Sequence, residues 1–248
     1  MRTCLTKFAI SILLLPATTS FVTASEEPAL NGLQEYTAVY ALRRGSLKAG
    51  EATFTLRLQE DGSYLYQSVT KATGLVAIFR DDVIRENVRI QISEDRIRPV
   101  NYEYIHENTN KNRYQSIEFD WHNMVARSNN RGTESSHELN RFTVDRASLP
   151  LIVGYALAHD NLPSKYTLLD HGKEKNYRMA WETGKELRTK AGRFNTVFIQ
   201  RKIKNNDRQL RIWLSPDKHY LPIRIENEDP GGDITSLELL KIDYGHSG

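Results

Sequence analysis

The stretch EATFTLRLQ, residues 51–59, alternates polar and apolar residues without interruption. A period of two is typical of a β-strand with one buried face, which here carries Ala52, Phe54, Leu56 and Leu58. The dipeptide Asp61-Gly62 that follows favours a hairpin turn, and residues 64–69 fit the returning strand. The segment therefore predicts antiparallel strands with one face in a core and the other in water.

The same alternation recurs along the chain. It is found in residues 88–92, 100–104, 117–121, 197–199, 210–214, 221–225 and 240–244. Arg57, Arg201 and Arg211 fall on the polar faces, which favours solvation of that face over packing against a second sheet. Strands and helices do not alternate in the manner of βαβ units. We therefore predict a mainly β protein whose curved, mostly antiparallel sheet is an open or half-barrel structure.

One segment, residues 148–158, has helical instead of strand spacing. Leu149, Ile152 and Val153 share one helical face, Pro150 is tolerated in the first turn, and Asp145 or Ser148 can serve as N-cap. We predict that the sheet wraps round this one principal helix. Two other segments are less regular: residues 75–79 fit either one helical turn or a lip over the sheet, and residues 128–140 look loop-rich.

The first 24 residues have the features of a secretory signal peptide. Arg2 and Lys7 precede an apolar run at residues 8–15, and VTA at residues 22–24 fits a cleavage site. Pro16 cuts the run short of the roughly 20 apolar residues that span a membrane. We therefore predict export to the periplasm and a single β-rich domain, residues 25–248, that is not an integral membrane protein.

Composition narrows the function further. With 26% charged and 39% hydrophobic residues, the chain is of ordinary globular type. Its net charge of +3 falls to +1 without Arg2 and Lys7, which gives no basis for binding nucleic acid. Cys4 is the only cysteine. A cleaved chain would thus have no disulfide, thiolate metal site or cysteine nucleophile.

Catalytic and metal motifs are weak. The seven histidines lack metal-ligand spacing, and Asp81, Asp82 and the acidic residues near Glu226 are more typical of solvated loops. The tetrad from Ser215 to Lys218 matches the serine–lysine pattern S-x-x-K, but Pro216 places it in a turn between two strands. We predict no catalytic residue, no metal ligand and no cofactor.

Aromatic residues on the strand segments are the stronger signal. A concave sheet lined by rings favours binding of lipid or sugar, although any single ring is more commonly core filling. The residues we expect to line such a groove are Tyr102, Tyr104, Phe119, Trp121, Trp181 and Trp213.

Short motifs in a fixed order resemble a known bacterial family. They are YTAVY at 36–40, LKAG at 47–50, IRP at 97–99, FDW at 119–121, DRASL at 145–149, WLSPD at 213–217 and LPIRI at 221–225. The order is similar to that of the exported family called domain of unknown function 3108. The resemblance implies a periplasmic, mostly antiparallel β protein, similar in shape to the half-barrel lipoprotein carriers of the Gram-negative envelope. It implies no activity and no site residue.

Three functions are consistent with these features. The first is a non-catalytic carrier or binder of an apolar or amphipathic envelope molecule, such as a lipid or lipid-linked glycan, held between sheet and helix. The second is a scaffold that holds an envelope protein partner through a sheet edge or the helix. The third, which has the least support, is a hydrolase of envelope polymer that uses Ser215 with Lys218 or a carboxylate pair such as Asp217 with Glu226.

Overall fold

The structure is a computed structural model that describes residues 33–74, 76–77, 82–93, 96–108, 112–202 and 208–245. The predicted signal peptide with Cys4, most of the run at 75–79, and Asp81 lie outside the described residues. The strands are β1 Tyr36–Arg44, β2 Leu47–Leu58, β3 Tyr64–Ala72, β4 Val83–Ser93, β5 Arg96–Glu107, β6 Arg113–Asp120, β7 Val125–Asn130, β8 Thr133–Glu138, β9 Thr143–Asp145, β10 Lys165–Asp170, β11 Lys173–Thr189, β12 Gly192–Lys202, β13 Gln209–Ser215, β14 Leu221–Glu228 and β15 Ile234–Tyr244. One α-helix, α1, spans Leu149–Ala158.

All fifteen described strands belong to a single sheet. Their order is β8-β7-β6-β5-β4-β3-β2-β1-β15-β14-β13-β12-β11-β10-β9. Neighbouring strands are antiparallel except β9 and β10. The prediction of a mainly β, curved, unclosed and mostly antiparallel sheet with one principal helix is confirmed, and the helix begins within one residue of its predicted start.

Alternation along the strands separates a buried face from a solvated one, as predicted. Two assignments were wrong: Leu58, at the end of β2, is 53% exposed, and Arg201, expected on the solvated face, is only 7% exposed. In one row of the buried face, Leu56 pairs with Tyr66, Tyr66 with Val88, and Val88 with Tyr102. All four side chains are buried. The other face carries cross-strand ion pairs, such as Arg211 with Glu228 at 2.7 Å between Nη2 and Oε2. Burial of apolar surface on one face of the sheet is the main stabilising term.

The helix lies in a crossover that the sequence did not predict. Strands β9 and β10 are parallel, and parallel neighbours need a connection from one end of the sheet to the other. Helix α1 is that connection, so the chain contains one βαβ unit, contrary to the expectation of none. The helix packs against β5 and β14.

The interpretation of residues 128–140 as loop-rich is wrong. They contain the end of β7 and all of β8, which form a hairpin. Its side chains reach the turn between β10 and β11: the Asn130 amide donates to the His171 carbonyl at 3.2 Å, and His137 Nδ1 lies 3.1 Å from Glu174 Oε1. The curved sheet therefore brings two distant parts of the chain together through side chains.

Candidate functional site

A cleft opens between α1 and the sheet. It is bounded by the start of β5, by residues 141–144 around β9, by α1 and by β10. Its enclosed volume is about 30 Å³, which is space for about one water-sized group. A larger ligand therefore has to place one small group in the cleft and lie along its mouth.

Arginines dominate the polar lining. Arg96 and Arg98 lie on β5, and Arg141 lies just before β9. In the described part of the chain, neither Arg98 nor Arg141 has a carboxylate within 4 Å. Each instead stacks on a ring, with Arg98 Cζ 5.4 Å from the Trp121 centroid and Arg141 Cζ 5.0 Å from that of Phe142. Stacking leaves guanidinium N–H groups available for an anion.

The buried Nε of Arg98 and the hydroxyl of Tyr166 also lack hydrogen-bond partners among the described residues. Tyr166 is only 2% exposed, and burial raises the pKa of its hydroxyl. The group is thus a neutral O–H donor at physiological pH. An unsatisfied buried donor costs free energy, and two of the residues that line the cleft carry such a donor.

Most of the remaining lining is apolar. Ile97 and Val144 are 3% and 2% exposed, and Ile152 and Tyr155 contribute from α1. The cleft thus combines cationic side chains with hydrocarbon, which is the arrangement that suits an amphipathic anion.

Asp145 fixes the start of α1 beside the cleft. This fully buried carboxylate accepts hydrogen bonds from the Ala147 and Ser148 amides at 2.8 Å each, and from Ser148 Oγ at 2.5 Å. Burial raises its pKa to about 6, although these hydrogen bonds oppose the shift. Ser148 occupies the N-cap position but makes no side-chain cap bond. Of the two predicted caps, Asp145 therefore makes the hydrogen bonds that hold the turn.

A second polar cluster anchors the same turn to the sheet. Glu86 Oε1 accepts from Arg146 Nε and from the Tyr102 hydroxyl, both at 2.9 Å. The Arg146 guanidinium also lies 4.5 Å from the Tyr104 ring centroid. Burial opposes the charge on Arg146, but the Glu86 carboxylate prevails and raises its pKa. These contacts join β4, β5 and the crossover, and so set the position of α1.

The six predicted groove residues occupy three places. Tyr102, Tyr104 and Phe119 are 1%, 7% and 3% exposed on the inner face. Trp121 is half-buried, stacks 6.1 Å from Phe119, and contacts Arg98 of the cleft. These four lie on or just after neighbouring strands.

The other two predicted residues lie elsewhere. Trp213 packs 4.9 Å from Phe198 on β12, and Trp181 on β11 is 46% exposed. Sequence reasoning also missed the cleft residues Arg98, Arg141 and Tyr166. The one sequence signal for these cations was the run RIRP at 96–99, of which IRP at 97–99 is among the motifs that resemble the family.

The serine–lysine tetrad and the histidines were the remaining candidates for chemistry in the sequence. Ser215 ends β13, is fully buried, and precedes a 3-10 turn at Pro216–Lys218, in agreement with the predicted turn. His106 Nε2 lies 2.6 Å from Asp82 Oδ1, which also accepts a hydrogen bond from the Asn108 amide at 2.8 Å. Within the ranges that the structure describes, no group of three His, Cys, Asp or Glu side chains is placed to hold a metal ion. No helix in the described part of the chain is long and apolar enough to span a membrane.

Comparison with known families identifies the chain. The profile of DUF3108, described as a protein of unknown function, matches residues 35–238. The chain belongs to the DUF3108 family. The resemblance seen in the sequence is therefore confirmed. A search of curated proteins found no match.

One solved structure shares the fold. A β-barrel-like protein of the DUF1849 domain from Brucella abortus is similar, with a TM-score of 0.51 and 11% identity over 86% of this chain and 98% of that one. The MucA/MucB complex of Pseudomonas aeruginosa is more distant, with a TM-score of 0.34 and 7% identity over 88% of this chain and 54% of that one. At these identities only the first likeness supports an inference, and it concerns the fold alone.

Proposed function

We propose that this DUF3108 protein is an exported, non-catalytic binder of an amphipathic envelope molecule that carries an anionic group. A lipid or a lipid-linked glycan with a phosphate or carboxylate meets this description. The observation that carries the proposal is the cleft between α1 and the sheet. There Arg98 and Arg141 have no carboxylate partner among the described residues and stand beside buried apolar side chains. The signal-peptide pattern of the first 24 residues supports action in the periplasm.

The geometry suggests how the molecule binds. The anionic group accepts hydrogen bonds from Arg98, Arg141 and the Tyr166 hydroxyl, while the apolar part lies along the mouth of the cleft. Hydrogen bonds to charged groups contribute about 1.5–3 kcal/mol each. Removing both arginines should therefore weaken binding at least tenfold.

Native mass spectrometry of the protein purified from its own envelope is the first test. We expect a native mass that exceeds the denatured mass of the same sample by that of a bound amphiphile. A native mass equal to that of the bare chain would count against the proposal.

Titration with a defined probe tests the residues. Dodecyl phosphate should bind saturably and more tightly than 1-dodecanol, and the double variant Arg98→Gln/Arg141→Gln should lose this preference. The matched control is Arg178→Gln/Arg188→Gln, which changes two exposed arginines of β11. Equal affinity for the two probes, or an unchanged preference in the cleft variant, would refute the proposed site.

Tyr166→Phe separates binding from folding. Its hydroxyl has no hydrogen-bond partner among the described residues, so its removal should leave the free energy of unfolding unchanged or raise it. The affinity for dodecyl phosphate should nevertheless fall. A variant with unaltered affinity would show that the hydroxyl does not touch the ligand.

A protein partner is a second candidate, favoured by β8. This strand ends the described sheet and pairs through one edge only, with β7. Such an edge can accept an added strand from another protein. Crosslinking in the native envelope should then trap one abundant partner, whereas recovery of monomer only would refute this candidate.

A further inference from the structure

A second concavity of the described chain lies on the opposite face of the sheet from the core. We call it the outer groove; it has a volume of about 840 Å³ and runs across β4–β8. Its side chains alternate with buried ones: Asn101 and Glu118 belong to it, while Tyr102 and Ile117 point into the core. The outer groove is thus separate from the cleft beside α1.

Two rows of polar side chains run across the strands in the outer groove. One row follows the register Arg89–Asn101–Glu118–Arg127–Ser136, and the other follows Asn87–Glu103–Ser116–Asn129–Glu134. Each row supplies one polar side chain per strand, at the strand spacing of about 4.8 Å. That repeat is close to the span of one pyranose ring, so a linear glycan laid across the strands meets a polar group at each sugar.

The two rows differ in how they are held. The Gln67 amide donates to Asn87 Oδ1 at 2.9 Å, and Asn87 donates to Glu103 Oε2 at 3.0 Å. By contrast, the side chains of Asn101 and Glu118 make no hydrogen bond or ion pair with any other described residue. Asn87 and Glu103 are therefore preorganised, whereas Asn101 and Glu118 have donors and acceptors free for a ligand.

The charges of the two rows and the exposed ring of Tyr114 indicate which class of ligand the outer groove can bind. The rows contain three carboxylates and two guanidiniums, and Arg89 is already paired with Asp61 at 2.6 Å. Such a mixture does not favour a polyanion. Tyr114 borders the groove and is 44% exposed, which offers a ring on which a sugar can stack.

We propose that the outer groove binds an uncharged oligosaccharide laid across β4–β8, with about one sugar unit per strand. Asn101 and Glu118 supply hydrogen bonds to the hydroxyl groups, and Tyr114 supplies a stacking face. The site is independent of the anion cleft, because the two share no lining residue.

Calorimetric titration of the whole protein with defined probes tests the proposal. The neutral probes are tetra-N-acetylchitotetraose and maltotetraose, with tetragalacturonic acid as the acidic counterpart. We expect saturable binding of at least one neutral probe, and about fivefold weaker binding for Asn101→Ala and for Glu118→Ala, as fits the loss of one hydrogen bond. The matched controls Asn195→Ala and Asp243→Ala, on exposed positions outside the groove, should bind as the natural chain does.

The proposal is overturned if no neutral probe binds saturably, if both groove variants bind as well as the controls, or if the acidic probe binds most tightly. The double variant Arg98→Gln/Arg141→Gln distinguishes this outcome from failure of the cleft proposal. It should lose dodecyl phosphate binding while sugar binding stays unchanged.

Discussion

Replacing the buried carboxylate of Asp145 by an amide should change how stability depends on pH. In Asp145→Asn, the new Oδ1 can still accept from the Ala147 and Ser148 amides, and the new NH₂ can donate to Ser148 Oγ, which accepts equally well as a hydroxyl. The turn before α1 is therefore retained. The variant loses only the titration of a group that is fully buried in the natural chain.

The magnitude follows from the pKa of Asp145. Burial raises it from 3.8 to about 6 in the folded state. The folded state therefore holds the proton at pH values where the unfolded state has released it. The free energy of unfolding contributed by this group is fully present below about pH 4 and is lost as pH rises to about 6. A shift of about two pKa units corresponds to about 3 kcal/mol.

Urea unfolding at intervals between pH 3.5 and 7.5 measures the effect. The quantity to follow is the free energy of unfolding of Asp145→Asn minus that of the natural chain, since other titrating groups cancel in this difference. We expect it to rise by about 3 kcal/mol between pH 4 and pH 7. The same difference for Asp243→Asn, an exposed acid, should stay flat. A flat or falling difference for Asp145→Asn would show that its carboxyl is not desolvated as the structure indicates.

Two further substitutions test packing and charge around α1. In Gly154→Ala, the new Cβ would lie 2.8 Å from the Tyr220 carbonyl oxygen, so the free energy of unfolding measured in urea should fall by about 1–3 kcal/mol. The control Gly231→Ala, whose Cβ meets nothing within 4 Å, should leave it nearly unchanged. Equal losses of stability in the two variants would contradict the close approach of Gly154 to Tyr220. Arg146→Met leaves the Glu86 carboxylate without its cation and should cost about 2–3 kcal/mol, less than for a fully buried pair because the Arg146 side chain is 31% exposed. The double variant with Glu86→Gln should be more stable than the sum of the single effects predicts, and additivity in a double-mutant cycle would refute the pairing.

Period-two alternation predicted the strands whose two faces differ. Strand β2 is the clearest case, because Ala52 and Leu56 are buried while their neighbours are less so. The pattern fails where both faces are covered. Residues 166–170 of β10 are all buried and have no alternation, so this strand was not recognised. Strand β9 has only three residues, too few to show a period.

Those two strands are the parallel pair, and this explains the missed crossover. A βαβ unit is recognised from strand, helix and strand in succession. With both strands unrecognised, α1 was predicted as a helix without flanking strands. The helix itself was found because Leu149, Ile152 and Val153 keep helical spacing over more than one turn.

The cleft was hidden for a different reason. Arg96 and Arg98 alternate with Ile97 and Pro99 as polar residues do on any half-exposed strand. Arg141 lies more than forty positions further along the chain. Only the register of β5 in the sheet and the crossover through α1 bring these cations together, and neither is local information.

The arginines around α1 differ in their partners. Arg146 lies in the crossover and faces Glu86, which neutralises it inside the sheet. Arg98 and Arg141 instead stack on Trp121 and Phe142 at the cleft, where ring faces compensate part of the lost hydration. Stacking holds a guanidinium in place without occupying its N–H groups, whereas a carboxylate would occupy them. The surroundings of α1 thus use a paired arginine to anchor the fold and two stacked arginines, from β5 and from the residues before β9, that remain open to a ligand. It is the stacked pair that should respond to an added anion.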